Sequence, residues 1–366
     1  MPVPSLRPLR DLRLILGSPA ADADSLAASV AYSLLLAAEA DPGALVLPWV
    51  PIPRADLRLR AEAGLLFRLA GLREQVLPCA DDLDLATLVR IAERDELRQL
   101  RNLRLILVDS DGSWLPPPLR RLIVKVLDHH PGALRPAEAP GAVFTVEPVG
   151  STCTLVAERI CERRPELMTL QIAVLLLGPI LLDTVDFDPA AQRGTAKDRR
   201  LADRLRAVAG GRAAGLYPRL LAARQELPGL GTPELLRRDY KAWAAGGVRF
   251  GISSCPVSLG RWRERDSDLE AGIAEYREAQ ELDLLLVMIV YDEPGAGRFR
   301  RELGISAAEP PGVERTARAL QDQGLELRDL PSGGRGVRWF RQEAVAVSRK
   351  RLVPQLCGWL EGKGLG

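Results

Sequence analysis

Short apolar runs alternate with longer stretches in which apolar residues recur every three or four positions, and this rhythm carries through the first half of the chain. Leu12-Arg13-Leu14-Ile15-Leu16-Gly17 predicts a strand. Ser25 to Ala38 predicts a helix, with Ser25 as its N-cap. Ala44 to Val50 predicts the next strand, and Leu83 to Leu100 an amphipathic helix. Leu103 to Val108 predicts a strand ending at Asp109, and Val124 to Leu127 one ending at Asp128. A further strand is expected at Val143 to Val146. Gly150-Ser151-Thr152 then opens a helix that reaches Arg163. This β-α alternation predicts a parallel sheet with helices on both faces. Strands that are apolar on both sides agree with it.

The stretch from Ala207 to Thr232 is rich in Gly, Ala and Pro and carries no strand signal, so it is read as a connection. The expected organisation is a domain of residues 1–206, a linker of 207–232 and a domain of 233–366. In the second domain, strands are expected at Val248 to Ser253, Leu284 to Tyr291 and Val337 to Phe340. Helices are expected at Ile273 to Gln280, at Gly312 to Gln323 and from Arg349 onward. Pro116-Pro117-Pro118 and Pro131 to Gly141 read as surface connections. The predicted class is α/β, a parallel-sheet domain followed by a smaller α/β domain.

Composition narrows the choices. A chain of 366 residues is long for a single core. Its 50 basic and 48 acidic residues leave a net charge of +2, which argues against a general nucleic-acid or membrane-surface binder. Five cysteines with no CxxC pair argue against a disulfide framework or thiolate zinc, and for a reducing, cytoplasmic setting. Met1 to Arg13 lacks the apolar segment of a signal peptide. The apolar run Ile172 to Leu182 is broken by Gly178-Pro179 and is too short to span a bilayer.

The chemistry gathers at the predicted strand ends. Both histidines of the chain lie in Leu127-Asp128-His129-His130-Pro131. Open α/β sheets bind ligands at the C-terminal edge, where this tripeptide falls. Asp22-Ala23-Asp24 follows the first strand, Asp109 a later one, and Asp183 closes the apolar run Ile180-Leu181-Leu182. Singly, each has a plain explanation: Asp24 as a helix N-cap, an acid after a strand as a solvated turn. Four such positions, one of them Asp-His-His, point to a cation site. Carboxylates with one or two imidazoles suit magnesium or manganese better than thiolate-held zinc. Asp111, Asp186 and Asp188 read as solvated loop acids. Gly150-Ser151-Thr152 either offers N–H groups to an anion or is an ordinary N-cap.

Together these motifs resemble the DHH phosphoesterases, specifically the prune-type exopolyphosphatases related to manganese-dependent inorganic pyrophosphatases. The resemblance rests on Leu16-Gly17-Ser18 through Asp22-Ala23-Asp24-Ser25, on Leu107-Val108-Asp109, and on Val126-Leu127-Asp128-His129-His130. It includes Val149-Gly150-Ser151-Thr152 with Leu155 to Ile160, and Ile180-Leu181-Leu182-Asp183. It extends to Asp239-Tyr240-Lys241 and to Ser348-Arg349-Lys350.

The resemblance implies an active site in the cleft between the domains. Asp22, Asp24, Asp109, His129 and Asp183 would be metal ligands for two Mg2+ or Mn2+ ions. Asp128 would orient His129, and Asp109 and His130 would act in catalysis. His130, Lys241, Arg349 and Lys350 would hold the phosphoryl oxygens. The implied reaction is hydrolysis of phosphoanhydride bonds in short-chain inorganic polyphosphates by metal-activated water. The alternatives are a cyclic-nucleotide phosphodiesterase, or a weakly active scaffold for protein partners such as nucleoside diphosphate kinases. The chain departs from its relatives at Ser18, where they carry His or Asn. It also departs at Ser110 and Leu177, where they often carry His.

Overall fold

The computed structural model describes residues 11–93, 102–130, 139–189, 191–225, 229–293, 298–332 and 336–363. The end of the helix expected at Leu83 to Leu100, most of the Pro131 to Gly141 connection and part of the expected linker lie outside these residues. The chain divides into two compact units, Met1–Glu226 and Leu227–Gly366.

In the first unit the order is β1 (Asp11–Leu16), α1 (Ala23–Ala38), β2 (Ala44–Trp49), α2 (Ala61–Ala70), α3 (Leu85–Glu93), β3 (Asn102–Val108) and α4 (Pro117–Arg120). It continues with β4 (Ile123–Asp128), β5 (Val143–Val146), α5 (Thr152–Arg163), α6 (Leu170–Asp183), α7 (Ala196–Ala209) and α8 (Leu216–Gln225). The five strands are all parallel, in the order β2-β1-β3-β4-β5. The chain leaves β1 toward one side of the sheet and β3 toward the other. The C-terminal ends of these neighbours therefore flank the switch point at which open α/β sheets bind ligands.

The strand period of two sorts side chains between two cores. Leu12, Leu14, Leu16, Leu105, Leu107 and Val126 pack with Leu88 of α3 and Leu119 of α4. Ile15, Ile106, Val108 and Leu127 face the other way, onto a core built from α1, α2, α5, α6, α7 and α8.

Helix α6 corrects one expectation. Asp183 ends a helix, not a strand. Every residue from Ile172 to Leu182 is buried, so the run shows no amphipathic period and reads as a buried strand would. A Cβ on Gly178 would sit 2.6 Å from Leu66 Cδ1 and 3.0 Å from Leu220 Cδ1, so α2 and α8 approach α6 closely only because that position is glycine. The Gly-, Ala- and Pro-rich stretch after residue 207 is also helical, and Leu216 and Leu220 of α8 lie in the same core. Of the three prolines read as a loop, Pro117 and Pro118 open α4, where their missing N–H groups are no loss.

The second unit runs α9 (Thr232–Arg238), β6 (Tyr240–Ala245), β7 (Val248–Cys255), α10 (Leu259–Arg265), α11 (Leu269–Ala279) and β8 (Leu284–Glu293). Then come β9 (Arg298–Ala307), α12 (Pro310–Asp322), β10 (Leu327–Leu330), β11 (Val337–Gln342) and α13 (Arg349–Lys363). Its six-stranded sheet, β10-β11-β9-β8-β7-β6, pairs β7 with β8 in parallel and its other neighbours antiparallel. Strands β6, β9 and β10 escape the sequence pattern; β6 opens with Tyr240-Lys241, and its apolar run, Ala242 to Ala245, is mostly alanine. In β9, Gly304 leaves room for the Trp339 ring, whose Cζ3 would lie 2.7 Å from an added Cβ. Among the described residues no helix is long and apolar enough to cross a membrane.

Candidate metal centre

The loop from β1 to α1 turns through Ala21 at φ +46°, a left-handed conformation. Asp22 then caps α1, its Oδ1 accepting from the Ser25 N–H at 3.0 Å. The N-cap is therefore Asp22 and not Ser25, which leaves the Ser25 hydroxyl for other work. That hydroxyl accepts from the Ser18 N–H at 3.1 Å and donates to Asp109 Oδ2 at 2.5 Å. Asp109 leaves the end of β3 at φ +53°, so its carboxylate swings back toward the β1 loop.

Asp24, 4% exposed, is the second residue of α1, in its first turn. Ser151 Oγ donates to its Oδ1 at 2.6 Å, Cys153 N to the same oxygen at 2.9 Å and Thr152 N to Oδ2 at 2.8 Å. The first turn of α5 thus holds an anion, as a helix N-terminus does, and the anion is the protein's own carboxylate. Ser151 also caps α5. A carboxylate offers about four lone-pair sites, so Asp24 keeps roughly one for another partner.

The two histidines are held differently. His129 Nδ1 lies 2.9 Å from the Val149 carbonyl oxygen. A carbonyl can only accept, so the proton is on Nδ1 and Nε2 points toward Asp109 Oδ1, 3.5 Å away. His130 Nδ1 lies 3.0 Å from Asp128 Oδ1 and 3.6 Å from Asp109 Oδ1. Asp128 also accepts the backbone N–H groups of His129 at 2.7 Å and His130 at 3.1 Å. The expectation that Asp128 orients the His129 ring is corrected. Asp128 holds His130, and the Val149 carbonyl holds His129. Asp109, Asp128, His129 and His130 each offer one ligand atom within 4.8 Å of the others.

Asp183 completes the acidic set. Its Oδ2 is out of solvent and has no hydrogen-bond partner. It stands at the C-terminal end of α6, the negative pole of the helix, where an anion is disfavoured. Burial pushes its carboxyl well above the ordinary range, and the charges of Asp24 and Asp22 push the same way. Burial, with Asp24 next, raises Asp109 to about 6. Burial alone would lower His129, but Asp109 and Asp24 outweigh it and hold the imidazole at about 10. Burial is the largest cause of the two carboxyl shifts; the neighbouring acids add to it and hold the imidazole protonated. Arg224 on α8 acts on Asp183 in the opposite sense, but its Nε sits 3.4 Å from Glu62 Oε1 and is largely offset there. Nothing in the sequence pattern marks Arg224. An orphaned carboxylate oxygen, an imidazole Nε2 facing Asp109 and a gathering of acids fit a divalent cation of the Mg2+ or Mn2+ kind.

The three departures from the family pattern serve packing and turns. Ser18 Oγ accepts from the Ala20 N–H at 3.1 Å. Ser110 Oγ accepts from Trp114 Nε1 at 2.9 Å. Leu177 is wholly buried in α6. Asp111 caps its own turn through Ser113 at 2.8–2.9 Å, and Asp186 pairs with Arg206 at 3.0 Å.

Within the second unit, Lys241 lies on β6 and Arg349 opens α13. Arg349 donates to the Asp239 carbonyl at 2.9 Å and to Asp239 Oδ1 at 2.7 Å. Burial would raise the Asp239 carboxyl, but Arg349 and then Lys241 bring it below its ordinary value. Lys350 is exposed on the first turn of α13. Asp239 stood in the sequence only as a motif residue; its grip on Arg349 is visible only in the fold.

A family model described as the DHHA2 domain matches residues 218–358. Exopolyphosphatase PRUNE1 of Homo sapiens is 29% identical over 362 residues, covering 96% of this chain and 76% of its own. Over nearly its whole length the chain is thus similar to a prune-type exopolyphosphatase. A manganese-dependent inorganic pyrophosphatase of Methanothrix thermoacetophila is 24% identical over 204 residues, 55% of this chain and 64% of its own. The crystal structure of a Methanococcus jannaschii protein assigned to the family II inorganic pyrophosphatases superposes with a TM-score of 0.62. It covers 94% of this chain and 98% of its own at 20% identity, which speaks to the fold alone.

Proposed function

We propose that this chain is a metal-dependent hydrolase of phosphoanhydride bonds, an exopolyphosphatase acting on short-chain inorganic polyphosphate. The observation that carries the reading is the orphaned Asp183 Oδ2, coupled by charge to Asp109, whose carboxylate faces His129 Nε2. The names of the relatives, exopolyphosphatase and manganese-dependent pyrophosphatase, support the same chemistry. Asp22, Asp24, Asp109, His129 and Asp183 would hold the ions, which we take to be two of Mg2+ or Mn2+. When bound, such ions supply a water of lowered pKa and neutralise charge on the phosphoryl oxygens.

The chain's own residues prepare the rest. The Val149 carbonyl holds the His129 Nδ1–H, so Nε2 is the nitrogen that would give up its proton and turn its lone pair to an ion. Ser25 donates to one Asp109 oxygen and leaves the other facing the histidines. Asp128 aims His130, the more exposed ring, which we assign to a phosphoryl oxygen of the substrate. Lys241, Arg349 and Lys350 are proposed to bind the remaining phosphate charge, with Arg349 pre-ordered by Asp239.

Phosphate release from tripolyphosphate, tetrapolyphosphate and pyrophosphate tests the reading. Release is expected with added Mn2+ or Mg2+ and abolished by EDTA. A metal-loaded protein that releases phosphate from none of the three overturns the reading; turnover of cyclic nucleotides alone replaces it with the phosphodiesterase alternative.

A further inference from the structure

The turn Val149–Ser151 touches the candidate centre twice. Its first residue supplies the carbonyl that fixes His129, and its last supplies the hydroxyl that holds Asp24. What fixes the turn itself is a carboxylate from elsewhere. Asp198, on the first turn of α7, is wholly buried. Its Oδ2 accepts the Gly150 N–H at 2.8 Å, and its Oδ1 accepts the Thr154 hydroxyl at 2.6 Å. The same Oδ2 accepts from Thr195 N at 2.8 Å and Thr195 Oγ1 at 2.7 Å. Gly150 leaves no slack: an added Cβ would lie 2.6 Å from Thr184 Cγ2, 3.2 Å from the Arg193 carbonyl and 3.2 Å from Asp198 Oδ2. Lys197 adds a second tie between α7 and this region, reaching Glu147 at 2.7 Å and Glu158 at 3.0 Å.

We propose that Asp198 is a positioning residue for the metal centre, setting His129 and Asp24 together through the turn Val149–Ser151. The proposal rests on the reading of those two side chains as metal-site residues. The competing account is that Asp198 merely completes the capping box of α7 with Thr195. Capping needs only the bonds to Thr195. The bonds to Gly150 and Thr154 reach across to α5, and a buried carboxylate must be satisfied by such donors to be tolerated there. Its four donors divide evenly: two cap α7 and two grip the turn.

That division sets the experiment, on the full chain with Mn2+ as the probe. Asp198→Ala removes both roles. Thr195→Val removes the cap hydroxyl and leaves the grip. Asp198→Asn keeps the grip, because its oxygen can face Gly150 while the Thr154 hydroxyl rotates to accept. The readouts are the Mn2+ dissociation constant by electron paramagnetic resonance and, without metal, the proton resonance of His129 Nδ1–H. The chain has 2 histidines, so assignment is direct.

Asp198→Ala is expected to weaken Mn2+ binding about tenfold and to lose the protected His129 resonance, as outer partners of metal ligands do. Asp198→Asn is expected to stay close to wild type, and Thr195→Val to lower Tm without changing either readout. The proposal is overturned if Asp198→Ala keeps wild-type affinity and the His129 resonance, or if Thr195→Val weakens binding equally. Should Asp198→Ala not fold, Thr154→Val decides: a severalfold loss supports the proposal and no change overturns it. A wild type that binds no Mn2+ would sink the proposed function instead, while the His129 resonance would still judge Asp198.

Discussion

In the first unit, Asp22, Asp24, Asp109 and Asp183 act on one another by charge beside two imidazoles, and the carboxyls of Asp109 and Asp183 rise first through burial and then through their acidic neighbours. In the second unit, Arg349 and Lys241 meet Asp239, whose carboxyl falls below its ordinary value because cations stand beside it. One cluster carries charge that needs an external partner. The other is already compensated within its own unit. The difference teaches what to expect of substitutions. Removing an acid from the first cluster would remove a proposed ligand and also relieve repulsion. Removing an acid from the second releases a cation that was being held.

The strongest blow to this contrast is Asp183→Ala. If Asp183 holds a metal ion, its loss should cost several kcal/mol of charge stabilisation, or roughly 10³-fold in kcat/KM for tripolyphosphate. Steady-state phosphate release at saturating Mn2+ measures it. Rates within a few-fold of wild type would remove Asp183 from the site and leave its orphaned oxygen unexplained.

Next in size is Arg349→Met. A guanidinium bonded to phosphate is worth about 1.5–3 kcal/mol, so kcat/KM should fall roughly 10- to 100-fold. The loss should appear mostly in KM if Arg349 binds the substrate's remote phosphates. An unchanged KM would make the Arg349–Asp239 pair a structural contact of the second unit.

How far the sequence could foresee this contrast depends on which residues carry it. Asp22, Asp24, Asp109 and the Asp128-His129-His130 run were legible because apolar strands precede them and a parallel sheet delivers strand ends to one edge. Asp183 was legible as a residue but not as a place, since an all-apolar buried helix has no period to tell it from a strand. The partners that set geometry were harder to see. The Val149 carbonyl belongs to the backbone, the same for any residue, and Asp198 looks like any capping-box acid. In the second unit, β9 hid behind Arg298, Arg300, Arg301 and Glu302, because its pattern is set by pairing with β8 and β11 and not by a simple apolar run.

A smaller effect separates repulsion from ligation. Without metal, Asp183→Asn should stabilise the protein, because an amide carries no charge into the cluster. A gain near 1 kcal/mol would raise Tm by about 2–4 °C. The pH dependence has a definite sign. Asp109 is raised in the folded state, so its contribution is present below its ordinary range near 4 and is lost as pH rises to about 6. His129 is also raised; its contribution is full below about 6.5 and is lost as pH rises through about 10. Both slopes point the same way, so the Tm of EDTA-treated protein should fall between pH 5 and pH 9. Mn2+ should flatten that slope and reverse the order of wild type and Asp183→Asn. Thermal melts across pH, with and without Mn2+, check both points. A metal-free Tm that rises with pH would mean that the first cluster is compensated after all.

The smallest expected effect falls on Asp239→Asn. The amide oxygen can still accept from Arg349, and the Asp239 carbonyl bond at 2.9 Å does not depend on the side chain's charge. The guanidinium should therefore keep its place while the carboxylate that competes with phosphate disappears. For a partly exposed pair this is worth about 0.2–1 kcal/mol, so KM for tripolyphosphate should drop roughly 1.5- to 5-fold, opposite in direction to Arg349→Met. Stability should move the other way. The Asp239 carboxyl is depressed in the folded state, so its contribution is present above its ordinary pKa near 3.8 and is lost as pH falls below it. The variant should then melt slightly lower than wild type at pH 7, and the gap should close in acid. Matched KM values and melts at pH 7 and pH 3 decide it. A rise in KM for Asp239→Asn would show that the carboxylate's charge, and not only its geometry, holds Arg349 in place.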